Sequence, residues 1–224
     1  MIRKKHFEKR QPTLYLVATP IGNQQEITQR ALDILNEVDV IAAEDTRHSG
    51  QLLKGYGISK PFLSHHEHNQ SVSIPKILHH LEQGDSVALI SDAGYPVISD
   101  PGNQLVQSVI QQGFAVVPVS GANAGINALV ASGLDASHYL FYGFLNAKSS
   151  KRKKELESLK ECPYTLIFYE APHRIQETLK DMLDVLSDRH MCLARELTKM
   201  HEEMIYGTVS EVLDVCEELK GEMV

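Results

Sequence analysis

The chain has 224 residues, 42% hydrophobic and 23% charged, with a formal net charge of −7. That balance is ordinary for a globular protein with a substantial core, and it excludes a protein that coats nucleic acid non-specifically. No apolar run is long enough to span a membrane, the start lacks a secretory signal, and Cys162, Cys192 and Cys216 are scattered, so a cytoplasmic protein with neither a disulfide scaffold nor a zinc site is expected.

Residues 1–12 read as a basic arm carrying Arg3, Lys4, Lys5, Lys9 and Arg10. "LYLVA" (14–18) is a short apolar strand, and "EITQRALDILNEV" (26–38) sets Ile27, Ala31, Ile34, Leu35 and Val38 at helical spacing. "VIAAE" (40–44) is a second strand, followed by a helical stretch over 46–55 that ends at Gly55 and Gly57. "PFLS" (61–64) is a weak third strand before a helix over 71–83, and "SVALIS" (86–91) is a fourth. A helix over 101–112 ends at Gly113, before a fifth strand, "FAVVPV" (114–119). Strands alternating with helices in this way predict a parallel, doubly wound sheet.

After about residue 138 the strands become richer in aromatic residues: "YLFYGF" (139–144), "TLIFYE" (165–170), "MCLARE" (191–196) and "EMIYGT" (203–208). The last two are close enough in sequence for an antiparallel pair. "KGEMV" (220–224) reads as a strand beginning. Two α/β domains are expected, over 13–136 and 137–224, the second with a mixed or antiparallel sheet.

In an open parallel sheet, ligands bind beyond the carboxyl ends of the strands, where the strand order reverses. The loops there are "TPIGN" (19–23), "EDTRH" (44–48), "SDAGYPVISDPG" (91–102) and "SGANAG" (120–125), all rich in turn residues and carboxylates. Dinucleotide and triphosphate fingerprints are missing. Glu44, Asp45, Asp92 and Asp100 accept hydrogen bonds when ionised, which suits a hydroxyl-rich or cationic ligand such as S-adenosylmethionine. The same loop also serves as turn and cap, since Ser99 or Asp100 before Pro101 is a good helix start. The basic run "KSSKRKK" (148–154) suits phosphate contact, or equally a solvated helix start.

"VATPIGN", "AEDTRHSG", "HEHN", "SDAGYPVISDPG", "GFLNAKS", "TLIFYEAPHR", "ARELTKMHEE" and "KGEMV" together resemble the bacterial 16S rRNA cytidine-2′-O-methyltransferases of the tetrapyrrole methylase superfamily. The resemblance runs in register from about Thr13 to Val224. It implies a two-domain tetrapyrrole-methylase-like fold, a homodimer, S-adenosylmethionine held between domains, and methylation of a ribose 2′-hydroxyl in the small ribosomal subunit. Carried onto this chain, it gives a cofactor set of Thr19, Pro20, Asp92, Ala93, Gly94, Ile98, Asp100, Ser120, Gly121 and Ala122, with Phe168, Tyr169, Glu170 and Ala171. The RNA set is Arg47, His48, Lys148, Lys151, Arg152, Lys153, Lys154 and Arg174. Two departures stand out: Gly94-Tyr95-Pro96 where the family usually has Gly-Thr-Pro, and Ser120-Gly121-Ala122 where it has Pro-Gly-Pro. Family members also continue beyond "KGEMV", so a missing tail is expected.

Methyl transfer to a ribose hydroxyl needs help with its proton. The candidates are Lys199, as base or as a cation beside the alkoxide, with Glu170 and Asp45; Arg47, His173, Arg195, Glu196 and Glu202 lie in the same motifs. Lys199 could equally be a surface lysine paired with Glu196 or Glu202. "SHHEHN" (64–69) lacks metal-ligand spacing, and no metal is expected. The competing readings are a methyltransferase of tetrapyrroles or of a diphthine-type small substrate, and a non-catalytic ribosome-assembly factor.

Overall fold

The computed structural model describes residues 11–217 and 219–224; most of the expected basic arm lies outside the described residues. The chain divides into two compact units after Asn123.

In the first unit, β1 (Thr13–Val17), β2 (Val40–Ala43), β3 (Phe62–Ser64), β4 (Val87–Ile90) and β5 (Ala115–Val119) form one parallel sheet in the order β3-β2-β4-β1-β5. Between them run α1 (Gln29–Glu37), α2 (Thr46–Gly55), α3 (Gln70–Glu82) and α4 (Asn103–Gln111). Because successive strand side chains point to opposite faces, the sheet feeds two cores. Val17, Ile41, Ala43, Ala88 and Ile90 pack with Leu35 of α1 and Leu53 of α2. Leu14, Ala42, Val87 and Leu89 pack with Ile77 of α3 and Leu105 of α4. Both faces are covered, which is why β2 and β4 are buried at every position. Thr28 caps α1 by accepting from the Ala31 N–H, and Asp45 caps α2 by accepting from the N–H groups of Arg47 and His48.

The second unit opens with α5 (Ala124–Ala131), followed by β6 (Tyr139–Phe144), α6 (Ser149–Leu159), β7 (Thr165–Tyr169), α7 (Ile175–Leu186), β8 (His190–Arg195), β9 (Glu203–Thr208) and α8 (Val209–Val215). β6 and β7 pair parallel, while β8 and β9 form the antiparallel pair that their short connection predicts. The terminal segment joins the two ladders: Met223 bridges Glu170 at the end of β7 and Arg195 at the end of β8. The end of "KGEMV" is therefore extended and bridged on both sides, between one parallel and one antiparallel pair.

The division falls upstream of the boundary expected at 136/137. The cause is α5, which belongs to the second unit by packing. Gly125 sits so close to Phe141 and Ile167 that a Cβ would lie 3.3–3.4 Å from them, and its N–H donates to the Tyr169 hydroxyl at 3.1 Å.

Candidate functional site

The strand order determines which loops meet. β1 lies between β4 and β5, so the loops leaving the carboxyl ends of these three strands are neighbours. The first two are joined directly: Thr19 and Gly94 exchange backbone hydrogen bonds at 2.9 and 3.1 Å. The buried Thr19 hydroxyl donates to the Ser91 carbonyl at 3.0 Å, and the buried Ser91 hydroxyl donates to the Gly94 carbonyl at 2.9 Å. The third loop is joined through Tyr95, whose phenol oxygen accepts from the Gly121 N–H at 3.1 Å.

Close approach explains Gly121, and a left-handed backbone explains Gly94. A Cβ on Gly121 would lie 2.7 Å from the Ala18 Cβ, and Gly94, at φ 78°, has the Ala122 carbonyl 3.6 Å from where its Cβ would be. The same loop holds Val97 at φ 77° and Ser99 at φ 60°. A β-branched residue in the left-handed region is strained, at a cost of about 1–3 kcal/mol for such a residue, and strain of this kind concentrates at ligand sites. It leaves Pro96 buried and turns Ile98 outward.

The electrostatics of this edge are acidic. Burial pushes the Asp100 carboxyl up to about 6, reinforced by the negative charges of Glu44 and Asp92 and opposed by a hydrogen bond from Ser91. A carboxyl held in this way favours a positively charged or hydrogen-bond-donating neighbour. Thr19, Pro20, Asp92, Ala93, Gly94, Ile98, Asp100, Ser120, Gly121 and Ala122 all lie on these three loops, so the strand order brings this part of the expected cofactor set to one sheet edge. The close-packed glycine backbone and the acidic rim fit S-adenosylmethionine, which presents a flat adenosyl group, ribose hydroxyls and a sulfonium.

Phe168, Tyr169, Glu170 and Ala171 lie at the carboxyl end of β7 in the second unit. Glu170 is committed to the fold: it is 6% exposed, accepts from the Thr178 hydroxyl at 2.6 Å and the Ala171 N–H at 2.8 Å, and pairs with Arg174 at 3.3 Å. Both of its carboxylate oxygens accept hydrogen bonds within the second unit, which gives it a role in the fold. Asp45 has a part in the fold as well. Hydrogen bonds from the His48 and Arg47 backbones hold its carboxyl below the usual carboxylate range, as befits the cap of α2.

Lys199 lies in the loop joining β8 to β9, between Glu196 at 2.9 Å and Glu222 at 2.7 Å. Burial works to lower its pKa, but the hydrogen bonds and charges of Glu222 and Glu196 prevail and raise it. This direction favours the ammonium form.

The basic run divides in two. Arg152 is 1% exposed, its Nε donates to Asp181 at 2.7 Å, and its Nη1 reaches the carbonyls of Asn146 and Ala147, so it is withdrawn from the phosphate-binding set. Arg174 is withdrawn as well, since its Nη2 donates to the Leu145 carbonyl at 2.7 Å beside Glu170. Lys153 pairs with Asp184 and Asp181. Lys148, Lys151 and Lys154 are exposed on α6 or at its start, and Arg47 and His48 are exposed at the start of α2.

His65 is 1% exposed with its Nδ1 2.8 Å from the Ser73 hydroxyl, so it belongs to the interior and not to a metal centre. Among the described residues no three His, Cys, Asp or Glu side chains converge as ion ligands.

Residues 13–213 match the family of tetrapyrrole (corrin/porphyrin) methylases. The chain is also 51% identical to a Bacillus subtilis protein named ribosomal RNA small subunit methyltransferase I, over 93% of this chain and 72% of that protein. The chain belongs to this methyltransferase family. A Haemophilus influenzae member with the same name is 52% identical over 94% of this chain and 76% of its own. Among solved structures, a cobalt precorrin-4 methyltransferase aligns with a TM-score of 0.68 at 17% identity, covering 94% of this chain and 92% of that one. A uroporphyrin-III C-methyltransferase from Thermus thermophilus aligns at 0.67 and 19%, over 94% and 95%. These last two show the fold, the two-domain α/β architecture of the tetrapyrrole methylases. The Tyr95 tie and the burial of Arg152 add to what the residue pattern gives.

Proposed function

We propose that this protein transfers a methyl group from S-adenosylmethionine to a ribose 2′-hydroxyl of a decoding-centre cytidine in 16S rRNA of the small ribosomal subunit. The observation that carries this reading is the 51% identity, over 93% of the chain, to a relative named for methylation of small-subunit ribosomal RNA. The sheet edge supports it with the close-packed glycines and the Glu44, Asp92 and Asp100 carboxyls.

When bound, the cofactor supplies a carbon already activated by its sulfonium, so the protein's part is alignment and charge. Gly94 and Gly121 give the backbone its close approach, and Ile98 offers an apolar surface for a ring. Asp92 and Asp100 attract the positive end and accept from hydroxyls. Lys199, kept as an ammonium, is the group proposed to stabilise the alkoxide that forms as the hydroxyl loses its proton. Lys148, Lys151, Lys154, Arg47 and His48 contact phosphate. Few contacts on an acidic protein give a shallow dependence of RNA affinity on salt. The protein acts in the cytoplasm as a homodimer.

The test is methylation of assembled, unmethylated small subunits with labelled cofactor, followed by mapping of the modified nucleotide by mass spectrometry. A single 2′-O-methylcytidine in the decoding region is expected. Label transferred to a tetrapyrrole, or to a base in place of a ribose, would overturn the reading. Sedimentation measures the dimer.

A further inference from the structure

We propose that His65 is a positioning residue for RNA: from the interior it fixes the turn 66–69, which presents the His66 and His68 rings to an unpaired stretch of the substrate. The inference rests on the RNA reading above and adds a contact to it.

The placement follows from the sheet. β2 and β3 are parallel neighbours, so the chain leaving β3 emerges beside the chain leaving β2, which carries Arg47 and His48. Both lie on the carboxyl edge that also holds the loops of β4, β1 and β5. An RNA strand on Arg47 and His48 is within reach of the turn. There His68 is exposed and His66 half-buried, with ring centroids 6.2 Å apart and planes at 64°. Unpaired bases stack on flat side chains such as histidine, and imidazole nitrogens can hydrogen-bond base edges.

A turn that reads RNA must hold one shape, and a closed polar network gives it one. The Asn69 Oδ1 accepts from the His66 N–H at 2.9 Å, and the Asn69 Nδ2 donates to the Ser64 carbonyl at 3.1 Å. The Asn69 N–H donates to the His66 carbonyl at 3.0 Å. The Ser73 hydroxyl lies 3.1 Å from both the Asn69 carbonyl and its Oδ1, and 2.8 Å from the His65 Nδ1. A hydroxyl has one hydrogen. Given to Asn69, it leaves the Ser73 oxygen to accept, so the His65 Nδ1 is the donor. The bonds then run in sequence from His65 to Ser73, to Asn69 and to the turn.

His65 is itself anchored, since its N–H donates to the Ala43 carbonyl of β2 at 2.9 Å. Burial, and after it the charge of His66, push its pKa down and keep the ring neutral. Its buried Nε2 meets no hydrogen-bond partner among the described residues. An apolar side chain would fill this place without that cost, so the histidine is explained by what it holds and not by packing.

The test is the kinetics of methyl transfer to assembled small subunits at varied subunit concentration. Ser73→Ala and His65→Leu should each raise KM for subunits about tenfold, while kcat and the cofactor Kd change by less than about twofold. Amide exchange at His66 and Asn69 should quicken in both. His65→Asn, whose Nδ2 sits where the Nδ1 does, should recover most of the KM. Removing both rings, by His66→Ala with His68→Ala, should raise KM alike, and adding Ser73→Ala to that variant should add little. Should His65→Leu fail to fold, Ser73→Ala carries the test. An unmoved KM in Ser73→Ala would overturn the proposal, and so would a KM effect that persists in full without the two rings. Either result with an active wild type strikes this inference alone; a wild type that transfers no label to subunits strikes the reading beneath it as well.

Discussion

The phenol of Tyr95 accepts a hydrogen bond from the Gly121 N–H at 3.1 Å, joining the loop after β4 to the loop after β5. Both residues lie where the chain departs from the pattern it resembles, with tyrosine in place of threonine and Ser120 and Ala122 in place of two prolines. Loss of the prolines makes the β5 loop more flexible, and the phenol restrains it. Tyr95→Phe should therefore weaken S-adenosylmethionine binding several-fold by about 1 kcal/mol, with little change in melting temperature. Isothermal titration against wild type measures this, and unchanged affinity would remove Tyr95 from the cofactor site.

Gly121→Ala is a harsher change at the same place. The added Cβ would lie 2.7 Å from the Ala18 Cβ and 3.3 Å from the Ala18 carbonyl, and neither can rotate away. Overpacking of this kind costs about 1–3 kcal/mol. A loss in that range by urea denaturation, together with loss of cofactor binding, is expected. Gly113→Ala has no atom within 4 Å of its Cβ but sits at φ 82°, so it reports the cost of backbone conformation alone.

Much of this architecture can be read from the residues. All five strands of the first unit fall within a residue or two of their apolar runs, and the two central ones, β2 and β4, are buried on both faces and so written as uninterrupted apolar stretches. The unit boundary was harder to find. α5, with the sequence "AGINALVA", is small and apolar, and nothing local says which core it joins; Phe141 and Ile167 decide that from a distance. The burial of Arg152 is hidden by the run of positive charge in which it sits. A signal was present nonetheless: Arg152, Leu156 and Leu159 recur at helical spacing on the buried face of α6. The acidic edge was legible as composition, but its strain was not, since positive φ at Val97 and Ser99 follows from loop closure and not from residue type.

Arg152→Ala tests that reassignment. Removing Arg152 takes from the buried Asp181 its nearest charge and leaves it the Ser149 hydroxyl and a longer contact to Lys153, so a loss near the low end of about 3–5 kcal/mol is expected. Chemical denaturation should show that loss. Lys151→Ala, on an exposed side chain, should leave stability within about 0.5 kcal/mol and lower the salt dependence of RNA affinity. Equal stability for the two variants would overturn the assignment.

Asp100 gives the protein a pH dependence with a definite sign. Its carboxyl titrates near 6 in the folded state against 3.8 ordinarily, so from about 4 to 6 the native chain holds a proton that the unfolded chain has released. Stability therefore falls as pH rises through that window. Asp100→Asn should match wild type near pH 4 and exceed it at pH 7, with the two urea midpoints separating between those values. The ionised form is the one that attracts a cation. Affinity for S-adenosylmethionine should drop as pH falls through about 6, while its uncharged-sulfur product should show a smaller drop.

Lys199 is held by Glu196 and by Glu222 of the terminal segment. The two carboxylates keep it charged, so a role in transfer requires the charge and not a lone pair. Lys199→Ala should lower kcat while leaving the Kd for cofactor nearly unchanged. Lys199→Arg, which retains the charge with a different shape, should restore part of the rate. Glu222→Gln removes one of the groups that raise the lysine pKa, so the alkaline limb of the pH–rate profile should move to lower pH. An alanine variant with wild-type kcat, or an alkaline limb unmoved by Glu222→Gln, would leave Lys199 as a structural clasp joining the β8–β9 loop to the terminal strand.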